Sequence, residues 1–358
     1  MKNVLIISLI VIILTFLSSF IIFTVNQETS SSLLNIWSRW DGLSYLNIAE
    51  NGYQNIDENK FLIAFFPFYP LLIKLFTFVF RDYRLSALII SNLSYIVASL
   101  FLYKLVLKDF HEKTALRAVF YLAIFPTAYF LHAGYTESLF LVLLLSSFYY
   151  ARQGRWLSAS LLGMFASFTR INGIILLPAL FVEYLLQRKF KIKDIKADIL
   201  WLGIVPVGFL SYLFINYRVF GNAFQFLSFM KDNWQKSASW PWTGFLGALE
   251  GLQWRSLSDR FMVSGAEIFF TAIGIFLIIL FFKKIRLSYG VYAILSLLLI
   301  TSTSFWLSIP RYLLSIFPIF IALAIIGRKP KFNYLITIAS LMFYTIFLTF
   351  FIQGDWAF

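Results

Sequence analysis

The chain contains a series of apolar runs, most of them about as long as a helix needs to cross a lipid bilayer. The hydrocarbon core of a bilayer is about 30 Å thick, and about 20 apolar residues span it as a helix. The runs fall at 4–25, 85–107, 117–133, 136–151, 156–187, 199–217, 261–282, 287–307, 311–327 and 332–352. Only 13% of the residues are charged, too few to cover a soluble domain. The sequence therefore predicts an all-α polytopic membrane protein with one domain over residues 1–358.

Charge and residue usage narrow the function classes. The formal net charge is +13, but the basic residues cluster between apolar runs, which indicates topology signals and contacts with anionic membrane lipids, not nucleic acid. The chain has no cysteine and only two histidines, which excludes thiolate and histidine-rich metal centres. We predict no metal site and no resident cofactor; a divalent cation held by a few acids stays open.

Two segments decide the topology. We predict that 61–80 lies at the membrane interface and that 156–187 is a pair of half-length helices meeting at 169–173. The short basic loops then share the cytoplasmic side with the N-terminus, as the positive-inside rule requires. Eleven passes follow, with the C-terminus outside and interfacial helices in the first outer loop. The outer segments are two long loops and three short turns, at 26–84, 218–260, 132–137, 170–173 and 308–311.

The helix before Arg170 is short. Residues 156–169 rise only about 21 Å at ~1.5 Å per residue, less than the thickness of the hydrocarbon core. Arg170 is therefore expected to lie below the outer surface and to face a cavity, because a charge at that depth needs a partner or water.

The first outer loop opens with a helical pattern. A stripe at helical spacing runs through Trp37, Trp40/Asp41, Ser44/Tyr45 and Ile48, and most of its residues are apolar or aromatic. The pattern predicts an amphipathic helix that Gly52 ends. It places Asp41 on the aromatic stripe, towards the membrane surface.

Asp41 has two interpretations. It could pair with Arg39 or cap local structure, as most loop aspartates do. It also lies among Trp40 and Tyr45 with Glu50 nearby, a composition typical of carbohydrate or lipid head-group sites. A carboxylate can accept the proton of a sugar hydroxyl as that hydroxyl attacks an anomeric carbon.

Two arginines on the same predicted side could stabilise a phosphate leaving group. Arg170 and Arg311 both fall at short outer turns, and guanidinium groups match the geometry and charge of a phosphate. Because nucleotide sugars are cytoplasmic, a transferase on the outer face needs a sugar carried by a lipid.

A set of motifs in fixed order resembles one known family. The motifs are RWDGLSYLNIAENGY (39–53), FFPFYP (65–70), FPTAYFLHAGYTESLF (125–140), TRING (169–173), Gln225 with Trp234, and PRYLLSIFP (310–318). They resemble the PIG-V mannosyltransferases, members of the GT-C superfamily of membrane glycosyltransferases. The resemblance implies a GT-C-like fold, a polyprenyl- or dolichyl-phosphate sugar donor (usually mannose), a lipid or glycan acceptor, and an inverting transfer.

The resemblance also implies residue roles. Asp41 would be the catalytic base, and Glu137 and Arg170 would line the active-site cavity. Many relatives carry a histidine three residues after that aspartate, and this chain has Ser44 there. The substrate-binding candidates are Arg39, Trp40, Tyr45, Glu50, Tyr135, Glu137, Arg170, Asn172, Gln225, Trp234 and Arg311.

Some candidates have plain structural alternatives. Glu137 could complement a helix dipole, Arg311 could extend its charged end towards the interface, and Gln225 and Trp234 could make ordinary loop contacts. For the whole chain, a lipid flippase would predict inverted repeats with broken helices, and neither is evident. A non-catalytic scaffold is the third hypothesis. We expect a membrane enzyme of the prokaryotic cytoplasmic membrane, or of the endoplasmic reticulum in a eukaryote.

Overall fold

The computed structural model describes residues 1–25, 33–56 and 58–358. Within these ranges the chain is helical, and its one β feature is an isolated antiparallel bridge between Ala238 and Thr303. Residues 26–32 of the predicted first outer loop lie outside the described residues. The all-α prediction is confirmed.

Fifteen helices of nine or more residues lie in the described part of the chain. They are α1 (Lys2–Val25), α2 (Asp41–Asn51), α3 (Phe68–Phe80), α4 (Tyr83–Val106), α5 (Glu112–Ala123), α6 (Glu137–Ala151), α7 (Trp156–Thr169), α8 (Leu176–Gln187), α9 (Val205–Phe220), α10 (Gln225–Trp234), α11 (Pro241–Trp254), α12 (Ala266–Phe281), α13 (Leu287–Thr301), α14 (Pro318–Ile326) and α15 (Pro330–Gln353). Shorter helical pieces are Leu33–Ile36, Lys60–Ala64, Ala128–Leu131, Ile171–Ile175, Ile192–Asp194, Ala197–Ile204, Leu257–Asp259, Arg260–Gly265, Ile309–Tyr312 and Leu313–Ser315.

Five helices of the described residues are long and apolar enough to cross a membrane. They are α1, α4, α9 extended back to Ala197, α12 extended back to Leu257, and α15. A sixth span forms if Ile309–Ser315 and α14 are taken together across their 90° bend. The chain is thus an integral membrane protein, and the five long helices match predicted runs. Five shorter apolar stretches of 10–17 residues lie beside them.

Three predicted runs do not form straight helices. The run 117–133 ends as a helix at Ala123, just before Pro126, which has no amide hydrogen to donate. The run 311–327 bends by 90° ahead of Pro318. The run 287–307 ends as a helix at Thr301, and the polar residues 302–304 that follow pair with residues 237–239. Two of these breaks lie near the site described below: Ser302 and Thr303 line its cavity, and Thr127 donates to the carbonyl of Pro310 at 2.9 Å.

The run 156–187 breaks where the sequence predicts. Helix α7 ends at Thr169, a 3₁₀ turn covers Ile171–Ile175, and α8 follows. Gly173 packs so closely on α7 that a Cβ there would lie 2.2 Å from the backbone nitrogen of Ser167. Only glycine fits this approach, and it fixes the turn that carries Arg170.

The core is formed by α4, α6, α7 and α9, which pack side by side in that order. Helix α6 is buried along most of its length, whereas α1 exposes an apolar flank that includes Ile13 and Leu14. Helix α3 also exposes apolar residues, with Phe78 79% and Val79 74% accessible. These flanks suit contact with lipid, and the interfacial position of 61–80 stays a prediction.

Candidate active site

Helix α2 begins at Asp41, four residues later than the aromatic pattern suggests. Trp40 has φ 46° and ψ −116°, a conformation outside the helical region, and it separates Asp41 from the short helix Leu33–Ile36. Trp37 lies inside the protein, with its ring 4.8 Å from that of Phe16. The prediction that this stripe faces the membrane surface is therefore wrong. Gly52 ends the helix with φ 73°, as predicted.

The backbone just before Asp41 is held by distant elements. The carbonyl of Arg39 accepts hydrogen bonds from the Tyr135 hydroxyl (2.8 Å) and from the Gly42 amide (2.9 Å). The Arg39 guanidinium donates to the carbonyl of Phe351 in α15 (3.0 Å). The Trp40 ring packs on the Phe351 ring at 5.3 Å. These contacts offset the unfavourable backbone of Trp40 and fix the start of α2.

Four charged side chains of alternating sign form what we call the cavity network: Asp41, Arg311, Glu137 and Arg170. Arg311 Nη2 donates to Asp41 Oδ2 at 2.8 Å, and Arg311 Nε lies 3.3 Å from Glu137 Oε1. Arg170 Nη1 donates to the same Glu137 oxygen at 2.6 Å and to Thr136 Oγ1 at 2.9 Å. Glu137 and Arg311 are only 4% and 7% exposed. Glu137 thus links two arginines that are 141 residues apart in sequence.

Aromatic rings surround the two arginines. The Arg311 guanidinium lies 5.2 Å from the ring centre of Phe130 and 5.3 Å from that of Tyr135. Both Arg311 and Arg170 lie 5.3 Å from the ring centre of Tyr312. Such contacts stabilise guanidinium groups in a partly dehydrated site. These rings hold the two guanidinium groups in place.

A cavity of about 310 Å³ opens in front of this network. Its polar wall is formed by Asp41, Tyr45, Thr169, Arg170, Asn172, Lys236, Ser237, Ser302, Thr303, Ser308, Arg311 and Tyr312. Its apolar wall includes Phe65, Phe66, Phe226, Leu227, Met230, Trp234, Leu299, Ile300, Leu307 and Trp356. The lining therefore combines polar groups that suit a charged, hydroxyl-bearing ligand with apolar side chains that suit a hydrocarbon chain.

Tyr45 adds a hydroxyl to this wall. Its burial, followed by the nearby Asp41 carboxylate, raises the pKa of Tyr45 above its ordinary value. The phenol therefore stays protonated at neutral pH. Its ring is held edge-on by Phe65 and Tyr69, at 5.2 and 5.4 Å.

Lys236 also lines the cavity, although it was not among the predicted site residues. Its Nζ donates to the carbonyl of Leu307 at 2.7 Å, lies 3.4 Å from the Tyr312 hydroxyl and sits 5.0 Å from the centre of that ring. In the described part of the chain it makes no contact with a carboxylate within ion-pair distance. A lysine soon after Trp234 in a long loop gives no signal by itself, because its neighbours Leu307 and Tyr312 are 71 and 76 positions away in the sequence.

The other predicted residues divide into three groups. Asp41, Tyr45, Arg170, Asn172, Trp234 and Arg311 line the cavity. Arg39, Trp40, Tyr135 and Glu137 lie behind its wall and hold the lining residues. Glu50 and Gln225 do neither: Glu50 is exposed near the far end of α2, and Gln225 contacts Asn222 at 3.4 Å. The functional roles of all of these residues stay predictions.

The described residues contain no group of three or more His, Cys, Asp or Glu side chains arranged to hold a metal ion. The positive charge in the cavity comes from Arg170, Arg311 and Lys236. A cavity with three cations and one lining carboxylate attracts an anion, and it also offers that carboxylate to a hydroxyl group.

Comparison with known proteins adds a family match. Residues 13–245 match the profile of the family described as Mannosyltransferase (PIG-V). The mouse GPI alpha-1,6-mannosyltransferase 2 is 33% identical over 160 residues, a stretch that is 42% of this chain and 32% of the mouse protein. The human protein of the same name is 35% identical over 162 residues, with the same coverage. The match thus spans about a third of the length of these relatives.

A solved structure has the same fold. The crystal structure of ArnT from Cupriavidus metallidurans bound to undecaprenyl phosphate superposes with a TM-score of 0.54, over 91% of this chain and 62% of that one. Its sequence is 14% identical, so the similarity concerns the fold alone. The predicted all-α membrane fold is thus similar to that of a solved structure, and the count of eleven passes stays a prediction.

Proposed function

The chain belongs to the PIG-V mannosyltransferase family, and from that premise we propose that it is a membrane glycosyltransferase. It transfers one mannose from a polyprenyl or dolichyl phosphate to a lipid or glycan acceptor on the outer face of the membrane. The transfer inverts the anomeric carbon, and Asp41 is the general base. The observation that carries the proposal is one cavity that joins the Asp41 carboxylate to three cations and an apolar wall.

The reaction is a single displacement. An acceptor hydroxyl gives its proton to Asp41 while its oxygen forms a bond to the anomeric carbon. The bond from that carbon to the phosphate oxygen breaks, and the lipid phosphate leaves with the electron pair. Attack from the side opposite to the phosphate inverts the configuration. A positioned carboxylate contributes about 10²–10⁴-fold to such a step.

The cations stabilise the leaving phosphate. Arg311 pairs with the Asp41 carboxylate. As Asp41 takes up the proton and loses its charge, Arg311 can stabilise the negative charge that develops on the leaving phosphate. Arg170 and Lys236 lie 5.3 and 5.0 Å from the ring centre of Tyr312. They provide two further donors for phosphate oxygens. The apolar wall near Phe226 and Met230 suits the first isoprene units of the donor.

The proposal includes the predicted topology. With eleven passes and a cytoplasmic N-terminus, Asp41, Arg170, Lys236 and Arg311 all belong to outer segments. That arrangement agrees with the short basic loops 188–196, 283–286 and 328–331 on the cytoplasmic side. Two further observations support it: the turn at Ser308 and the broken 156–187 run each bring polar residues of a predicted short outer turn to the cavity.

The test compares wild type with Asp41→Asn in detergent, with radiolabelled polyprenyl-phosphate mannose and lipid acceptors. Asparagine keeps the shape of the side chain and removes the base, so we expect transfer to fall by about 10²–10⁴-fold. Asp355→Asn, a change of an exposed aspartate on the same side of the fold, is the control and should transfer at the wild-type rate.

Equal transfer by wild type and Asp41→Asn would remove Asp41 from the mechanism. If wild type transfers no sugar but moves a labelled lipid between the leaflets of proteoliposomes, the flippase hypothesis replaces this one.

A further inference from the structure

A second buried acid acts near the cavity without lining it. Glu267 lies in α12, inside an apolar span, and its side chain has no solvent exposure. Each of its carboxylate oxygens accepts one backbone amide: Ser308 N donates to Oε1 at 2.6 Å, and Ile309 N donates to Oε2 at 2.8 Å. An acid within a span is costly, and here both of its oxygens bind a single turn of the chain.

That turn has an unfavourable backbone. Ser308 has φ 71° and ψ 19°, in the left-handed region that non-glycine residues rarely adopt. Lys236 contacts the same turn from another direction, since its Nζ donates to the carbonyl of Leu307 at 2.7 Å. We call residues 307–309 the clamped turn, because an anion binds its amides and a cation binds its carbonyl.

The clamped turn carries Arg311. The short helix Ile309–Tyr312 starts directly after Ser308, and the Tyr312 amide donates to the Ser308 carbonyl at 3.0 Å. Within that single turn of helix, Arg311 extends to Asp41 and Glu137. A change in the φ angle of Ser308 would therefore rotate the helix and move the guanidinium away from Asp41.

We propose that Glu267 is a positioning residue that holds the left-handed turn at Ser308 and so aims Arg311 at Asp41 and the leaving phosphate. The inference rests on the proposed function, because it gives Glu267 a role through the transfer that Arg311 assists. Glu267 touches neither substrate. It binds the backbone amides of Ser308 and Ile309, which precede Arg311 by three and two residues.

The carboxylate is specifically suited to this task. Glutamine has the same shape, but it has only one acceptor oxygen, and its amide group would face the second backbone N–H as donor against donor. Glu267→Gln should therefore loosen the turn without leaving a hole. Because Arg311 stabilises charge that develops in the transition state, we expect kcat to fall by about 10- to 100-fold while KM for the donor changes far less.

The matched control is Glu183→Gln. Glu183 is an equally buried acid, and it accepts from Arg286 and Ser288 at the opposite end of the bundle. Glu183→Gln should lower the melting temperature and leave kcat unchanged at a temperature where the protein is folded. A loss of kcat in Glu267→Gln but not in Glu183→Gln separates positioning from general destabilisation.

Rescue provides the second measurement. Glycine adopts φ 71° without strain, so Ser308→Gly should remove most of the need for the clamp. We expect Glu267→Gln to reduce kcat much less when Ser308→Gly is present than when it is absent. If Glu267→Gln alone cannot be recovered folded, the comparison of Ser308→Gly with the double variant carries the same test.

The outcomes are distinguishable from failure of the proposed function. Equal transfer by Asp41→Asn and wild type overturns the function itself. If Asp41→Asn is inactive but Glu267→Gln transfers like wild type, only the positioning role is overturned. It is also overturned if Ser308→Gly gives no recovery, that is, if the double variant transfers as poorly as Glu267→Gln alone.

Discussion

Two buried ionic networks of similar composition lie at the two ends of α6. The cavity network includes Glu137, the first residue of this helix, and the second network includes Arg152, which directly follows its last residue. The first and last residues of the helix are about 21 Å apart at ~1.5 Å per residue. We call the second one the distal network; it consists of Asp109, Arg152, Glu183 and Arg286. Both networks join two acids to two arginines from distant parts of the chain.

The two networks differ in how completely their atoms are bonded. In the distal network Glu183 accepts from both Arg286 nitrogens (2.6 and 2.8 Å), from Ser288 and from Gln187. In the cavity network Glu137 Oε2 and Arg311 Nε have no hydrogen-bond partner among the described residues. A fully bonded buried network adds rigidity, whereas an incompletely bonded one retains capacity for a ligand. The same charged groups thus form a more completely bonded network at one end of α6 and leave two buried polar atoms unbonded at the other.

The largest effect that separates the networks is expected at Glu183. Glu183→Ala leaves the Arg286 and Arg152 charges buried without their shared partner. Removing one member of a buried ion pair costs roughly 3–5 kcal/mol. We expect a large drop in the unfolding midpoint of the detergent-solubilised protein, followed by tryptophan fluorescence.

Glu250→Ala, which changes an exposed acid of α11, is the control and should unfold like wild type. If Glu183→Ala unfolds like this control, the distal network does not stabilise the fold.

The mirror experiment is Glu137→Gln. It keeps the shape of Glu137 but removes the charge shared by Arg170 and Arg311. Arg170 and Arg311 line the cavity, and Arg311 keeps Asp41 as a partner. We therefore expect the unfolding midpoint to fall less than in Glu183→Ala, while kcat/KM for transfer falls by about 10²-fold through misplaced cations. Steady-state transfer and thermal unfolding are measured on the same preparation. A variant that loses stability but transfers normally would contradict the comparison.

Five of the predicted runs form long apolar helices, and the sequence predicts them because hydropathy over 20 residues is a local property. The five long helices and the break at Thr169–Gly173 follow from it. The break in the run 117–133 was missed because a run of apolar residues keeps its hydropathy when Pro126 interrupts its hydrogen bonding. The helix end at Thr301 was missed for a different reason: the residues after it pair with residues 237–239, a contact that no local pattern encodes.

The site was predicted in part. Asp41, Arg170 and Arg311 stand out because each is a charge beside aromatic residues or in a short outer turn. Lys236 and Glu267 act through contacts with residues 307–309, which no local pattern encodes. Glu267 did carry one usable signal, since a single acid in the apolar run 261–282 needs a partner. Glu183 carried the same signal in the run 156–187 and belongs to the distal network, so the signal finds buried acids but does not identify their role.

Lys236 tests whether the cavity network needs a cation beyond its own arginines. Lys236→Gln removes the one lining charge that contacts only neutral groups. A hydrogen bond to a charged group is worth about 1.5–3 kcal/mol, so we expect KM for the lipid donor to rise by about tenfold or more.

The matched control for that change is Lys231→Gln, because Lys231 is exposed on α10 in the same loop. Inhibition by undecaprenyl phosphate should weaken in parallel in Lys236→Gln and stay unchanged in Lys231→Gln. Equal inhibition of both variants would exclude Lys236 from the phosphate site.

The smallest effect is expected at the edge of the distal network. Arg152 donates through two nitrogens to the two oxygens of Asp109, at 2.6 and 2.8 Å. Lysine offers a single ammonium and cannot reproduce this paired geometry. Because Asp109 is partly exposed, Arg152→Lys should cost only about 1 kcal/mol of stability. The measurement is a small shift of the unfolding midpoint, compared with Arg155→Lys as an exposed control. Transfer activity should not change, since the pair lies a full helix length from Asp41. A loss of transfer in Arg152→Lys at unchanged stability would mean that the two ends of α6 are coupled, and the division between a structural and a catalytic network would have to be abandoned.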